Sequence, residues 1–356
     1  MPSLKEIKGR INSISSTLAI TSAMKMVAAA KLQKAQMAIQ NMLPYERRLY
    51  SMLLDLMGAM NISAAASEDG SVRGSGSAER GFDQSGDRLS LSNRHDLAGM
   101  DGAYSLMAQR EVRKVAIVAF ASNSSLCGAF NSNVIREATA VINEYRASGL
   151  GDADITVYSV GRKMAEAMKR LGFPSPADFT KMSDSPSYDA ASALAQELFD
   201  GFVSGRFDKV ELVYNHYKST SSQPTTRQTY LPLSLADATA DIQVGKITGS
   251  ASEPYADKVA EPVVRQNSPT TETPDLIVEP SKEELIATLL PKVVRLRVFT
   301  TLLDSTAAEH AARTVAMQLA TDNGNDLLQE LTLEYNKGRQ QKITSEILDI
   351  VGGSLQ

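Results

Sequence analysis

From Leu4 to Met60 apolar residues recur at alternating steps of three and four. The series is Leu4, Ile7, Ile11, Ile14, Leu18, Thr21, Lys25, Ala28, Leu32, Ala35, Ile39, Met42, Glu46, Leu49, Leu53, Leu56 and Met60. Fourteen of its 17 positions are apolar, where a chain with 43% hydrophobic residues would give about seven. A 3.5-residue period held this long means a coiled-coil seam. Ser3 and Glu6 form an S-x-x-E capping box at its start. Pro44 is read as a kink that does not end the pattern. At 1.5 Å per residue, residues 3–60 would span about 87 Å as one helix, longer than a compact domain.

A second helical pattern closes the chain. Ser281-Lys282-Glu283-Glu284 repeats the capping box, and the pattern then runs to about Val351, before Gly352-Gly353. Unbroken, it would be about 108 Å long. Pro291, Gly324 and Gly338 are its weak points. Ile343, Ile347 and Ile350 form a stripe at its end, but the preceding part holds no single heptad phase, which suggests a gentle wrap. Two long apolar seams cannot stay bare in water, so the terminal helices are expected to pair antiparallel as one stalk.

Between them the pattern changes twice. Residues 61–108 hold seven Gly and nine Ser without a sustained apolar period, so 61–110 reads as a flexible insertion. Residues 111–244 read as a small, Rossmann-like α/β domain with a mainly parallel sheet. Its strands fall at 115–120, 155–160 and 209–217, its helices at 131–146, 162–171 and 188–203, with a last extended segment at 229–233. Residues 245–280 read as a polar loop, and 281–356 as the terminal helix. The fold class is thus α/β, with a long antiparallel coiled coil of the N- and C-terminal helices (1–60 and 281–356) around the central domain.

Charge and composition narrow the function. Residues 1–50 carry eight basic residues against Glu6 and Glu46, inside a chain of net charge -4. A solvated helix face accounts for this; a surface for acidic partners is the sharper reading. The overall charge gives no case for nucleic acid. One Cys and three scattered His leave no material for a disulfide or a Cys/His metal centre. No apolar run reaches the roughly 20 residues of a membrane span, so direct membrane insertion is not expected. Eight of the 14 Met fall in the first 60 residues and Trp is absent, which suits a long adaptable helical surface.

The chemistry of a nucleotide enzyme is missing. Neither G-x-x-x-x-G-K-[ST] nor G-x-G-x-x-G follows the first strand. That strand leads into Ser122-Asn123-Ser124-Ser125-Leu126-Cys127-Gly128, which could hold an anion but reads equally as a polar turn. Cys127 is either a nucleophile or a small buried hydrophobe, and it has no His beside it in sequence. No Ser/His/Asp set and no ligand cluster is recognisable. Catalytic residues, cofactor and metal are all expected to be none, and a mechanical or scaffolding role is favoured.

Two terminal blocks carry a resemblance. The first is Ile20 to Leu32, with Met24-Lys25-Met26-Val27-Ala28-Ala29-Ala30 at its centre. The second runs from Glu309 to Asp349 through Ala311-Ala312-Arg313-Thr314-Val315-Ala316-Met317, Ala320-Thr321-Asp322-Asn323-Gly324 and Tyr335-Asn336-Lys337-Gly338-Arg339-Gln340. With Leu126-Cys127-Gly128 and Phe130-Asn131 between them, these resemble the γ-subunit family of F-type ATP synthases. The resemblance covers both helices and the α/β core. It implies a non-catalytic central rotor shaft inside three α and three β subunits. Such a shaft couples ion-driven rotation of a membrane c-ring, with an ε subunit at its base, to the cycling of the β subunits. It also implies a peripheral place on the cytoplasmic face of a bacterial inner membrane, since no targeting segment precedes the first block.

Site residues follow from the same resemblance. Met24 and Lys25 match the segment facing the β lever. Arg339, Gln340 and Thr344 match positions that bond the β catch loops. Glu279, with Pro280, matches an acidic-proline pair near the ring. Three departures stand out. Asn123-Ser124-Ser125 replaces the more usual Asp-Arg-Gly, Leu276 and Val278 stand where the family has tyrosines, and the 61–110 insertion lacks the Cys pair of the plant chloroplast form. The competing reading is a coiled-coil adaptor whose α/β domain binds a small ligand.

Overall fold

The computed structural model describes residues 3–59, 106, 110–233, 279 and 281–354. Helix α1, Leu4–Ala59, runs 56 residues and passes through Pro44. The Ser3 hydroxyl caps it, accepting the Glu6 N–H at 3.3 Å. The C-terminal helix, Lys282–Ser354, runs 73 residues and passes through Pro291. Its cap is Ser281, which accepts the Glu284 N–H at 3.2 Å. Gly324 and Gly338 do not break it, and it continues through Gly352 and Gly353 to Ser354, past its expected end. Of the expected insertion, 61–110, only Leu106 and Arg110 are among the described residues, and Leu106 is buried in the core of the α/β domain rather than part of a flexible segment; most of the 245–280 loop lies outside the described residues.

The two long helices lie side by side and antiparallel. Leu4 meets Gly338, Leu18 meets Gly324, Thr21 bonds Thr321 at 3.1 Å, and Lys25 reaches Gln318. Each step along one helix is matched by a step back along the other. The glycines mark close approach: a Cβ at 324 would sit 2.7 Å from Leu18 Cδ2. Glycine costs a helix interior about 1 kcal/mol relative to alanine, and the contact with Leu18 explains why it stands there. Further along, Leu32 and Ala35 cluster with Ala307 and Ala311. Leu49, Leu53 and Leu56 then pack on Ile286, Leu290 and Val293.

The central domain carries a four-stranded sheet in the order β2-β1-β3-β4. Strand β1, Val115–Phe120, is buried on both faces, which is why it reads as a continuous apolar run. It pairs in parallel with β2, Ile155–Val160, and with β3, Lys209–Asn215. Strand β4, Thr225–Leu231, pairs antiparallel with β3. The helices between are α2, Phe130–Ala147, α3, Arg162–Arg170, the short α4, Thr180–Asp184, and α5, Tyr188–Val203. The C-terminal helix is therefore α6.

Two layers cover the sheet. Val115, Ile117 and Ala119 of β1 pack with α2 and α3. Ala116, Val118 and Phe120 pack with α5, and with Val294, Val298 and Leu302 of α6. Thus α6 is at once half of the helical pair and an outer layer of the domain. On the α2 face, Glu211 is 1% exposed. It accepts bonds from the Tyr145 hydroxyl at 2.6 Å and the Arg227 Nε at 2.7 Å, and pairs with the Lys209 Nζ at 2.7 Å. Burial pushes its carboxyl up, but these donors outweigh burial and hold it below its ordinary value.

Three elements differ from the sequence expectation. Strand β3 stops at Asn215, because the His216 N–H turns to the Pro224 carbonyl and the Tyr217 N–H to Asp304. Strand β4 begins at Thr225, four residues before the extended segment read from sequence. Helix α4 carries no periodic signal because it is five residues long.

The start of α3 sets the tightest fit in the domain. Gly161 has φ +96°, and a Cβ there would lie 2.0 Å from the Ala121 carbonyl oxygen. Gly161→Ala is expected to destabilise the chain by at least about 2 kcal/mol, through backbone strain and displacement of the β1 end. A urea titration followed by far-UV circular dichroism measures this; an unchanged midpoint would refute the fit.

Candidate functional site

The residues singled out from sequence do not converge on one site. Met24 and Lys25 are half-buried on α1. The Lys25 Nζ donates to the Gln318 Oε1 at 2.7 Å, and the Gln318 Nε2 donates to the Asp322 Oδ1 at 2.8 Å. Arg339, Gln340 and Thr344 are exposed on α6, beyond the point where Leu4 begins α1. The Thr344 hydroxyl donates to the Gln340 carbonyl at 2.9 Å. At 1.5 Å per residue these three lie about 30 Å or more along α6 from Gln318. Glu279 is exposed just before α6, about 90 Å from Arg339 by the same rise. They are stations along a rod.

The rod also exposes apolar side chains that its own pairing does not cover. Ile20, Met26 and Val27 on α1 are 58–62% exposed, and Leu319 on α6 is 61% exposed. Ile343, Ile347, Leu348 and Ile350 follow toward the end of α6. Apolar side chains gathered and exposed in this way mark an interaction surface. No helix among the described residues is long and apolar enough to cross a membrane.

An α/β sheet of this kind offers one natural ligand crevice, beyond the carboxyl ends of the parallel strands where the strand order reverses. Here that place lies beyond β1 and β3, and α6 fills it. The loop after β1 is held in shape by Ser122, whose hydroxyl donates to the Ser124 carbonyl at 2.6 Å, and by Asn131, whose Nδ2 reaches the same oxygen at 3.2 Å. Leu126 at φ 68° and Gly128 at φ 58° complete the turn. Arg313 of α6 plugs it: its Nη1 donates to the Ser125 carbonyl at 2.6 Å, and its Nη2 to the Ser124 hydroxyl at 2.8 Å and the Glu309 carboxylate at 2.7 Å. At the end of β3, Asp304 bonds the His216 Nδ1 at 2.6 Å and accepts the Tyr217 N–H at 2.9 Å.

Cys127 is 1% exposed and clusters with Phe130 and Ala308. Its sulfur faces the Asn131 Nδ2 at 3.2 Å. This favours the buried-hydrophobe reading over the nucleophile. No cluster of His, Cys, Asp or Glu among the described residues could hold a metal ion.

Sequence reasoning missed the polar residues of α6. Glu309 and Arg313 stand at i, i+4, the spacing that lets opposite charges meet on a helix. Their setting in a run of buried alanines was the signal that could have found them. Both are only 8% exposed. Burial pushes the Glu309 carboxyl up, although Arg313 opposes it. His310 is pushed down to about 4 by burial, with Lys31 and Arg313 adding to the shift, and its Nδ1 is buried without a hydrogen-bond partner.

This sets the acid behaviour of the junction. The unfolded imidazole takes a proton below about pH 6.5, whereas His310 takes one only near pH 4. The unfolded state binds more protons across that window, so the His310 contribution to stability is lost as pH falls from 6.5 to 4. Glu309, raised above the ordinary carboxylate value, acts in the opposite sense from about pH 4.5 upward. His310→Gln is expected to flatten the fall of stability between pH 6.5 and pH 4, measured by denaturant titration at a series of pH values. An identical slope in the variant would contradict it.

Comparison with known proteins adds the following. Residues 3–355 match the ATP synthase family. The ATP synthase gamma chain of Phocaeicola vulgatus is 47% identical over 355 residues, covering 100% of both chains. That of Bacteroides thetaiotaomicron is 46% identical over 356 residues, again covering 100% of both. That of Flavobacterium psychrophilum is 36% identical, covering 99% of this chain and 98% of the relative. These alignments run through 61–110, so a segment there is not peculiar to this chain. Among solved structures, a chain of the Euglena gracilis mitochondrial ATP synthase (OSCP, F1 and c-ring, rotational state 3) superposes with TM-score 0.51. It is 17% identical and covers 98% of this chain and 92% of that one. At that identity the likeness speaks for the fold.

Proposed function

The chain belongs to the ATP synthase family, as a relative of its gamma chains, and from that premise we propose that it is the enzyme's central rotor shaft. It is a non-catalytic subunit. The observation that carries the reading is the antiparallel pairing of α1 and α6 along the whole of α1, from Leu4 against Gly338 to Leu56 near Ile286. Such a pair, taken as a coiled coil, is a stiff rod, and the transmission of rotation needs one. The α/β domain, described over residues 111–233, packs on one side of the rod and gives it a lever.

Partners follow from the surfaces. The exposed apolar residues of α1 and α6 seat the rod inside a sleeve of three α and three β subunits. Small and flexible groups there, such as Met26, Ala29 and Ala30, let the sleeve pass without interlocking. In this reading Met24 and Lys25 face the β lever, and Arg339, Gln340 and Thr344 meet the β catch loops as each passes. Glu279 lies at the other end, toward the ε subunit and the membrane c-ring. The chain is then peripheral on the cytoplasmic face of a bacterial inner membrane, and ion flow through the ring turns it. No cofactor is assigned.

The adaptor reading retains one observation, a cavity of about 580 Å³ between α1, α6 and the β3–β4 edge, lined in part by Tyr50, Tyr214 and Tyr217. Against it stands the crevice beyond β1 and β3, which α6 already fills.

The test is mechanical. A bead is fixed to the α/β domain in an assembled complex with α and β subunits, and ATP is supplied. Stepwise rotation of the bead is expected. Hydrolysis with a static bead would sink the rotor reading, and tight nucleotide binding by the isolated chain would favour the adaptor.

A further inference from the structure

Torque between a rod and an off-axis domain acts as shear along their contact. That contact has two parts. One is apolar: Val294, Val298 and Leu302 of α6 against the sheet and α5. Apolar burial is non-directional, so it holds the surfaces together and opposes sliding only weakly. The other part is polar and directional, and it is concentrated where β1 and β3 end.

Besides the Arg295 bond to Gln196 and the Tyr230 bond to the Val294 carbonyl, two clamps make it up at the strand ends, nine residues apart on α6, or about 13 Å along the helix. Asp304 grips the chain leaving β3, with one oxygen on the His216 Nδ1 and the other on the Tyr217 N–H. Arg313 grips the loop leaving β1 through the Ser125 carbonyl and the Ser124 hydroxyl, and is itself fixed by Glu309. Each bonds backbone as well as side chain, so each is tied to the strand behind it. Arg313 and Glu309 are 8% exposed, which keeps water from replacing these bonds under load.

We infer that the crevice beyond β1 and β3, the ligand end of this fold, serves here as the torsional joint between shaft and domain, with Asp304 and Arg313 as its positioning residues. The inference rests on the rotor reading. It assigns a mechanical task to residues whose side chains bond other parts of their own chain.

The test separates stiffness from stability. Asp304→Asn and Arg313→Lys keep size and polarity but lose part of each grip. Both are assembled with α and β subunits, and the angular fluctuation of a bead on the α/β domain is recorded with hydrolysis stalled. The joint predicts that each variant raises the mean-square fluctuation by about twofold, since each loses part of a directional network, part-buried at Asp304 and buried at Arg313. Val298→Ala, which thins the apolar contact, should lower the melting temperature and leave the fluctuation at the wild-type value. Wild-type fluctuation in both clamp variants overturns the inference, as does equal softening by Val298→Ala. Failure of the rotor reading shows separately, as a wild-type bead that never turns under ATP.

Discussion

Everything in this molecule depends on α6 having to satisfy two neighbours at once. Between Ile286 and Arg313 it is covered by α1 on one side and by the sheet and α5 on another. A helix buried nearly all round has no polar face to spend on solvent. Its polar residues must therefore find partners inside, and most do, the Arg295 Nε and the His310 Nδ1 being left without one. Tyr50 bonds the Arg297 Nη1 at 2.8 Å, Gln196 bonds the Arg295 Nη2 at 2.6 Å, and Tyr230 donates to the Val294 carbonyl at 2.9 Å. The order of the core follows from this: the sheet's second layer is completed by the terminal helix beside α5, so the end of the chain stabilises its middle.

The same constraint decides what sequence could show. The α1 seam is legible because one stripe faces one partner and the other face is wet. The heptad phase of α6 dissolves where a second stripe is needed for the sheet. Strand β1 is legible because both its faces are dry. Strand β4 is not, since Thr225 to Gln228 lie half-exposed at an edge and carry no apolar alternation. The clamps stayed hidden for another reason. Asp304, Glu309 and Arg313 look like ordinary helix-surface charges until the fold brings loops 87 or more residues away against them.

The partner-facing residues are a different case. Met24, Lys25, Arg339, Gln340 and Thr344 came from resemblance alone, because nothing within one chain marks a residue whose neighbour belongs to another. The structure adds that Lys25 is engaged with Gln318, so its ammonium stands at a fixed place on the rod. Sequence also suggested an anion-holding turn at Ser122 to Gly128. The turn instead presents acceptor oxygens to a cation, the guanidinium of the chain's own Arg313, which fits the polar-turn reading.

The step-for-step pairing of α1 with α6 has a consequence for how such a chain can change over time. Removing one residue from either helix turns everything beyond it by about 100° and draws it in by 1.5 Å. Leu18 would then no longer find Gly324, nor Leu4 find Gly338. Over their paired stretch the two helices are thus bound to a common length, and there one can gain or lose a residue only if the other does so at the matching level. Freedom to lengthen belongs to the stretches between helices and strands, and the polar, Gly- and Ser-rich run after α1 is where a lineage can add residues without disturbing the register of its shaft.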